Sequence, residues 1–132
     1  MKLQTLLISA VTALTLSACA TSPKTLPNGE PATAFVIEQH KNLDVEPNTK
    51  HNVARLIKQS NNCVIDFTGN FESGKATEYW IFKGNQLISA FTKLDTEEEN
   101  KQEVFDLNDP EKIANFEALK SNFKQKNLDK CN

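Results

Sequence analysis

Apolar residues along this chain keep two rhythms, and the switch between them divides the part that folds. After Pro47-Asn48-Thr49, Val53, Leu56 and Ile57 recur at i, i+3 and i+4. That spacing predicts a helix from about Thr49 to Ser60, capped by Asn48, with Lys50, Arg55 and Lys58 turned to water. From Cys63 the period falls to two. Cys63, Ile65, Phe67 and Phe71 alternate with Val64, Asp66, Thr68 and Asn70, which marks a strand with one buried side. Turn signals at Glu72-Ser73-Gly74-Lys75 and Lys83-Gly84-Asn85-Gln86 bracket a second strand, Thr77 to Lys83, rich in residues that favour sheet. Leu87 to Leu94 reads as a third strand and Glu103 to Leu107 as a shorter fourth. Connections this short join antiparallel neighbours.

The last element announces its own start. Asp109 suits a helix cap, Pro110 the first helical position, and Glu111 adds negative charge to the first turn. Ile113, Phe116, Leu119 and Phe123 then form one apolar stripe. Phe35-Val36-Ile37 is apolar but too short to assign to strand or helix. The expected fold is therefore α+β: a four-stranded antiparallel meander flanked by an N-terminal and a C-terminal helix. The second strand is apolar on both sides, with Trp80 and Phe82 on one and Tyr79 and Ile81 on the other. Either the two helices cover both faces, or one face is open and Tyr79 or Trp80 helps form a partner groove.

The amino terminus carries a different signal. Lys2 precedes an apolar run from Leu3 to Leu16, and Leu16-Ser17-Ala18-Cys19 sets small residues directly before a cysteine. The run is too short to span a membrane and reads as a secretory signal. Leu16-Ser17-Ala18-Cys19 resembles the lipobox of bacterial lipoprotein precursors. That resemblance covers only these first 19 residues. It implies cleavage before Cys19, a diacylglyceryl group on its sulfur and an acylated new amino terminus; a plain cleaved signal is the alternative. Two or three chains, at about 0.8 kcal/mol per buried methylene, hold a protein firmly. Ala20 is not the aspartate that retains many enterobacterial lipoproteins in the inner membrane. The resemblance thus implies the periplasmic face of the outer membrane. Three regions follow: a signal peptide over 1–18, a lipid anchor and tether over 19–33, and one folded domain over 34–132. The tether, ATSPKTLPNGEPAT after Cys19, has no aromatic residue and no means of burying a core.

Charge and cysteines narrow the partners. The net charge is −2 and Arg55 is the single arginine, so the basic face of a nucleic-acid reader is missing. With Cys19 lipidated, Cys63 and Cys131 are an even pair in an oxidising compartment, and a structural disulfide is expected. A redox role is the rival, although no Cys-x-x-Cys spacing lowers either thiol's pKa. Such a bridge contributes on the order of 4 kcal/mol in the chain-entropy description.

Catalytic and metal motifs are not found. His40 and His51 are separated by Pro47, which breaks any shared helix face. Ser60, Ser73, Ser89 and Ser121 lie in no Gly-x-Ser-x-Gly or Ser-x-x-Lys pattern. Asp95-Thr96-Glu97-Glu98-Glu99 lacks the glycine of an EF-hand loop; it reads as a solvated turn, with calcium or a basic partner as the alternative. No cofactor is expected and no metal site is assigned. Two functions remain. The first is a non-catalytic lipoprotein whose tethered head binds another envelope protein or a cell-wall component. The second is a small envelope hydrolase using acidic residues, with Asp66 and Glu78 on adjacent strands as the first pair to test.

Overall fold

The structure, a computed structural model, describes residues 34–132. The signal peptide, Cys19 and the tether lie outside the described residues. Six strands make one antiparallel sheet in sequence order. They are β1 (Phe35–Lys41), β2 (Val53–Lys58), β3 (Cys63–Phe71), β4 (Gly74–Lys83), β5 (Gln86–Thr96) and β6 (Asn100–Val104). Two short helices follow, α1 (Pro110–Lys120) and α2 (Gln125–Leu128), and a 3-10 turn over Asp129–Cys131 closes the chain.

The four-stranded, twin-helix plan is thus overturned: the molecule is mostly sheet, and the segment expected to be the N-terminal helix is strand β2. The reason is burial on both sides. Between β1 and β3, β2 buries Ala54 and Leu56 on one face and Ile57 on the other. An interior strand with apolar residues on both faces reproduces the i, i+3, i+4 spacing of a helix without being one. Asn48 caps nothing; its side chain donates to Asp44 Oδ1 at 2.8 Å. The residue that organises this loop is buried Asn52. Its Nδ2 donates to the carbonyls of Leu43 (2.8 Å) and Thr49 (2.9 Å), while its Oδ1 accepts from the Leu43 N–H at 2.7 Å. Phe35-Val36-Ile37 begins β1. The last strand starts and ends earlier than the pattern suggests, at Asn100–Val104.

All the helical residues gather on one face. Along each strand alternate side chains point the same way, so Leu56, Ile65, Trp80, Ala90 and Phe105, paired in register, line one side of the sheet. Phe116, Leu119, Phe123 and Leu128 close over that side. Phe116 stacks on Trp80 with centroids 5.4 Å apart and meets Phe82 edge-on at 5.5 Å. Helix α1 is positioned by its cap: Asp109 Oδ1 accepts the Glu111 N–H at 2.9 Å, and Pro110 needs no donor there. Ile113, at the start of the apolar stripe, stays exposed.

Three ties hold the C-terminal segment down. Cys63 and Cys131 form a disulfide, S–S 2.07 Å, across a separation of 68 residues. The Cys131 carbonyl accepts the N–H of Gly84 at 2.7 Å, in a turn where Gly84 holds φ 57° at no steric cost. Glu38 on β1 receives Asn127 Nδ2 at 2.8 Å and the Lys124 N–H at 3.1 Å. Burial alone would raise the Glu38 pKa, but these bonds together with His40 favour the ionised form and hold it below the usual carboxylate value.

Two variants test this core. Trp80→Ala is expected to lower the unfolding free energy by about 3–5 kcal/mol in urea denaturation, because the space it leaves lies under a helix that cannot collapse into it. Replacing Cys63 and Cys131 together with alanine is expected to cost about 2–5 kcal/mol by the same measurement.

Candidate functional site

The face without helices carries a second, smaller cluster. Ile57, Val64, Ile81 and Phe91 pack together there with Tyr79 and Ala34, and none of these is helical. The residues next to them in register form a row across the strands: Arg55, Asp66, Tyr79, Phe91 and Val104. Tyr79 stacks on Phe91 with ring centroids 4.9 Å apart and planes at 26°. Beside them, Arg55 grips Asp66: Nε donates to Oδ1 at 2.9 Å and to Oδ2 at 3.1 Å, and NH2 donates to Oδ2 as well. The Asp66 side chain is only 4 % exposed, whereas Arg55 keeps 44 % of its side chain in water. Thr68 and Thr77 join hydroxyls at 2.9 Å on the next row.

This row is amphipathic and rigid. Its two rings are pinned by each other, and its one cation is held by a bidentate carboxylate. Burial raises the Tyr79 pKa, helped by the neighbouring Asp66 carboxylate, so the phenol stays protonated and keeps an O–H to donate.

The other face places Trp80 out of reach. It is 1 % exposed, stacked on Phe116 and tilted against Phe105 at 5.2 Å. Of the two aromatic residues proposed for a groove, Tyr79 alone is available and Trp80 belongs to the core. Asp66 and Glu78 are not brought together either. Asp66 opposes Tyr79 and Glu78 opposes Phe67, so the two carboxylates leave β3 and β4 on opposite faces. The hydrolytic pair does not form.

Glu78 instead enters a cleft of about 230 Å³ beside the start of α1, with Phe67, Phe71, Glu103, Phe105 and Lys112 around it. Its Oε2 accepts the indole N–H of Trp80 at 3.0 Å. Lys112 Nζ stands 4.3 Å from the Phe105 centroid. Burial raises the Glu78 pKa; the Trp80 hydrogen bond and the Lys112 charge pull back without cancelling it. Glu103 follows two strands away in the same register row, through Thr92.

The histidines remain apart. His40 Nε2 meets Glu38 Oε1 at 2.8 Å and its ring stands edge-on to Phe123, 5.2 Å between centroids. His51 sits at φ 56° in the loop before β2. Glu97, Glu98 and Glu99 form the β5–β6 turn, where Thr96 Oγ1 accepts the Glu99 N–H at 2.9 Å. Among the described residues no group of three or more His, Cys, Asp or Glu is placed to hold a metal ion. None of the described helices is long and apolar enough to cross a membrane.

Sequence reasoning missed Arg55 and Phe91. The i, i+3, i+4 spacing sets Arg55 on a helix surface, and only the β2–β3 register places it opposite Asp66. Comparison of the chain with protein-family models, curated proteins and solved structures yields no match.

Glu78→Gln tests the cleft. In acid, folded and unfolded states both keep the Glu78 proton and the variant should match the parent. As pH rises through the raised folded pKa, the parent alone loses stability. The variant is therefore expected to be the more stable at neutral pH, with a gap that closes on acidification, read from urea midpoints across pH. A gap independent of pH contradicts this.

Proposed function

We propose that this protein is a non-catalytic binding head of the bacterial cell envelope. Its lipid anchor is Cys19, its location the periplasmic face of the outer membrane, and its contact surface for another envelope protein the accessible members of the row, Arg55, Tyr79 and Val104, set over buried Phe91 and Asp66. The observation that carries the binding surface is the stacked Tyr79–Phe91 pair beside the Arg55–Asp66 ion pair, on a face to which no described helix contributes. Tyrosine and arginine held in fixed positions give contact area and hydrogen bonds at low entropic cost, which is the make-up of interface anchors. The anchor is supported by the short apolar run ending at Leu16-Ser17-Ala18-Cys19 and by the Cys63–Cys131 disulfide, a bond that suits an oxidising compartment.

Two experiments decide between this reading and its competitors. Cells fed a palmitate analogue should label the protein, and Cys19→Ser should abolish the label; labelling that survives the substitution removes the anchor. A photo-crosslinker at Lys93, beside the row and off the edge strand, should capture an envelope protein other than a second copy of this chain in intact cells. Tyr79→Ala should lose that capture while costing far less stability than Trp80→Ala. Capture unchanged in Tyr79→Ala, or capture of cell-wall glycan instead, rejects the surface or its occupant.

A further inference from the structure

The sheet has two free edges, and they are finished differently. β1 carries a break in register between Val36 and Glu38, and its Glu38 is bonded to Lys124 and Asn127 beside α2. A bulge and a covering element are the usual guards of an exposed edge. β6 has neither. Its residues Asn100–Val104 pair with β5 in unbroken register, and all are exposed.

Two hydrogen bonds fix which backbone groups of β6 face outward. The Phe105 N–H donates to the Ala90 carbonyl at 2.9 Å, and the Thr96 N–H donates to the Glu99 carbonyl at 3.0 Å. The antiparallel ladder alternates, so odd-numbered residues bond inward to β5. Asn100, Gln102 and Val104 therefore turn their N–H and C=O groups away from the sheet.

We infer that β6 is a self-pairing edge through which two copies of this chain join their sheets, antiparallel, about a two-fold axis at Gln102. In that register Gln102 lies opposite Gln102, Asn100 opposite Val104, and Lys101 opposite Glu103 of the second copy. Every outward backbone group then meets a partner. The Lys101–Glu103 pairs fall at the non-hydrogen-bonded positions, where Cα atoms approach to about 4.5 Å and side chains interact most strongly. Moving the axis by one residue sets Lys101 against Lys101 or Glu103 against Glu103. A lysine on an edge ordinarily repels a foreign strand; here Glu103, two residues on, neutralises it for this chain's own edge alone. Charge thus selects both the partner and the register. The interface is isologous, as a two-fold pair requires, and a five-residue edge places it in the small, transient class of contacts.

The test uses the full chain carrying single cysteines on β6, mildly oxidised, with the unsubstituted chain alongside to account for Cys19. Across the axis the residue 102 Cα atoms are about 5.5 Å apart, within disulfide reach. Gln102→Cys should give a covalent dimer. Lys101→Cys and Glu103→Cys should each give none alone but should crosslink when mixed. Equal crosslinking by all three, or none by Gln102→Cys, overturns the register. In sedimentation equilibrium, Lys101→Glu should weaken self-association about tenfold, and adding Glu103→Lys should restore it. A double variant as weak as the single one, or a monomeric parent at every concentration, overturns the proposal. All three positions are exposed, so thermal melting at concentrations where the parent is monomeric should stay unchanged throughout.

Discussion

A meander of six strands has two equivalent-looking faces, and the stacking of Phe116 on Trp80 decides which becomes the interior. Hairpins zip neighbour to neighbour, yet they leave Leu56, Ile65, Trp80 and Phe82 on a surface that, among the described residues, the C-terminal helices close over. α1 supplies Phe116 and Leu119, the turn after it Phe123, and α2 Leu128. Burial of large aromatic side chains is the dominant favourable term available to a domain of this size. The disulfide, the Gly84–Cys131 hydrogen bond and the grip of Glu38 all serve that closure, since each ties the C-terminal segment to a different part of the sheet.

Once one face is sealed, the other is free to differ. Its side chains are interleaved with the core ones residue by residue: Tyr79 and Ile81 flank Trp80, and Asp66 lies between Ile65 and Phe67. The rigidity of the helix-covered side is therefore imposed on the other side through a shared backbone. A stacked aromatic pair and a clamped arginine need little reorganisation on meeting a partner, which lowers the entropic cost of binding. The carboxylates, divided between the two faces, are arranged as an ion pair on one and a cleft on the other rather than as a pair sharing a substrate.

What the sequence discloses depends on how many sides of an element are buried. β3, β4 and β5 are legible because turn residues punctuate them; Gly74 at φ 148° is required there, since a Cβ would stand 2.3 Å from the Asp95 carbonyl oxygen. The Asp109-Pro110-Glu111 cap is legible because it is local chemistry. The Cys63–Cys131 pairing is legible once Cys19, one of three cysteines, is set aside as the expected lipid-bearing residue. β2 was not legible, for its short apolar run is buried on both sides and imitates a helix. Placing β2 on a helix hid Arg55, and with it the ion pair that identifies the candidate face. Trp80 and Tyr79 are adjacent in sequence and equally aromatic, so only the side on which α1 docks separates a core residue from a surface one.

The 68-residue span between the bonded cysteines also sets an order of events. A polypeptide emerging amino terminus first can lay down its hairpins as they appear, because each contacts only its predecessor. It cannot seal them until Cys131 has arrived. Until then the Cys63 sulfur has no Cys131 to meet, so the closed bond reports that α1, α2 and the turn over Asp129–Cys131 have all joined the sheet.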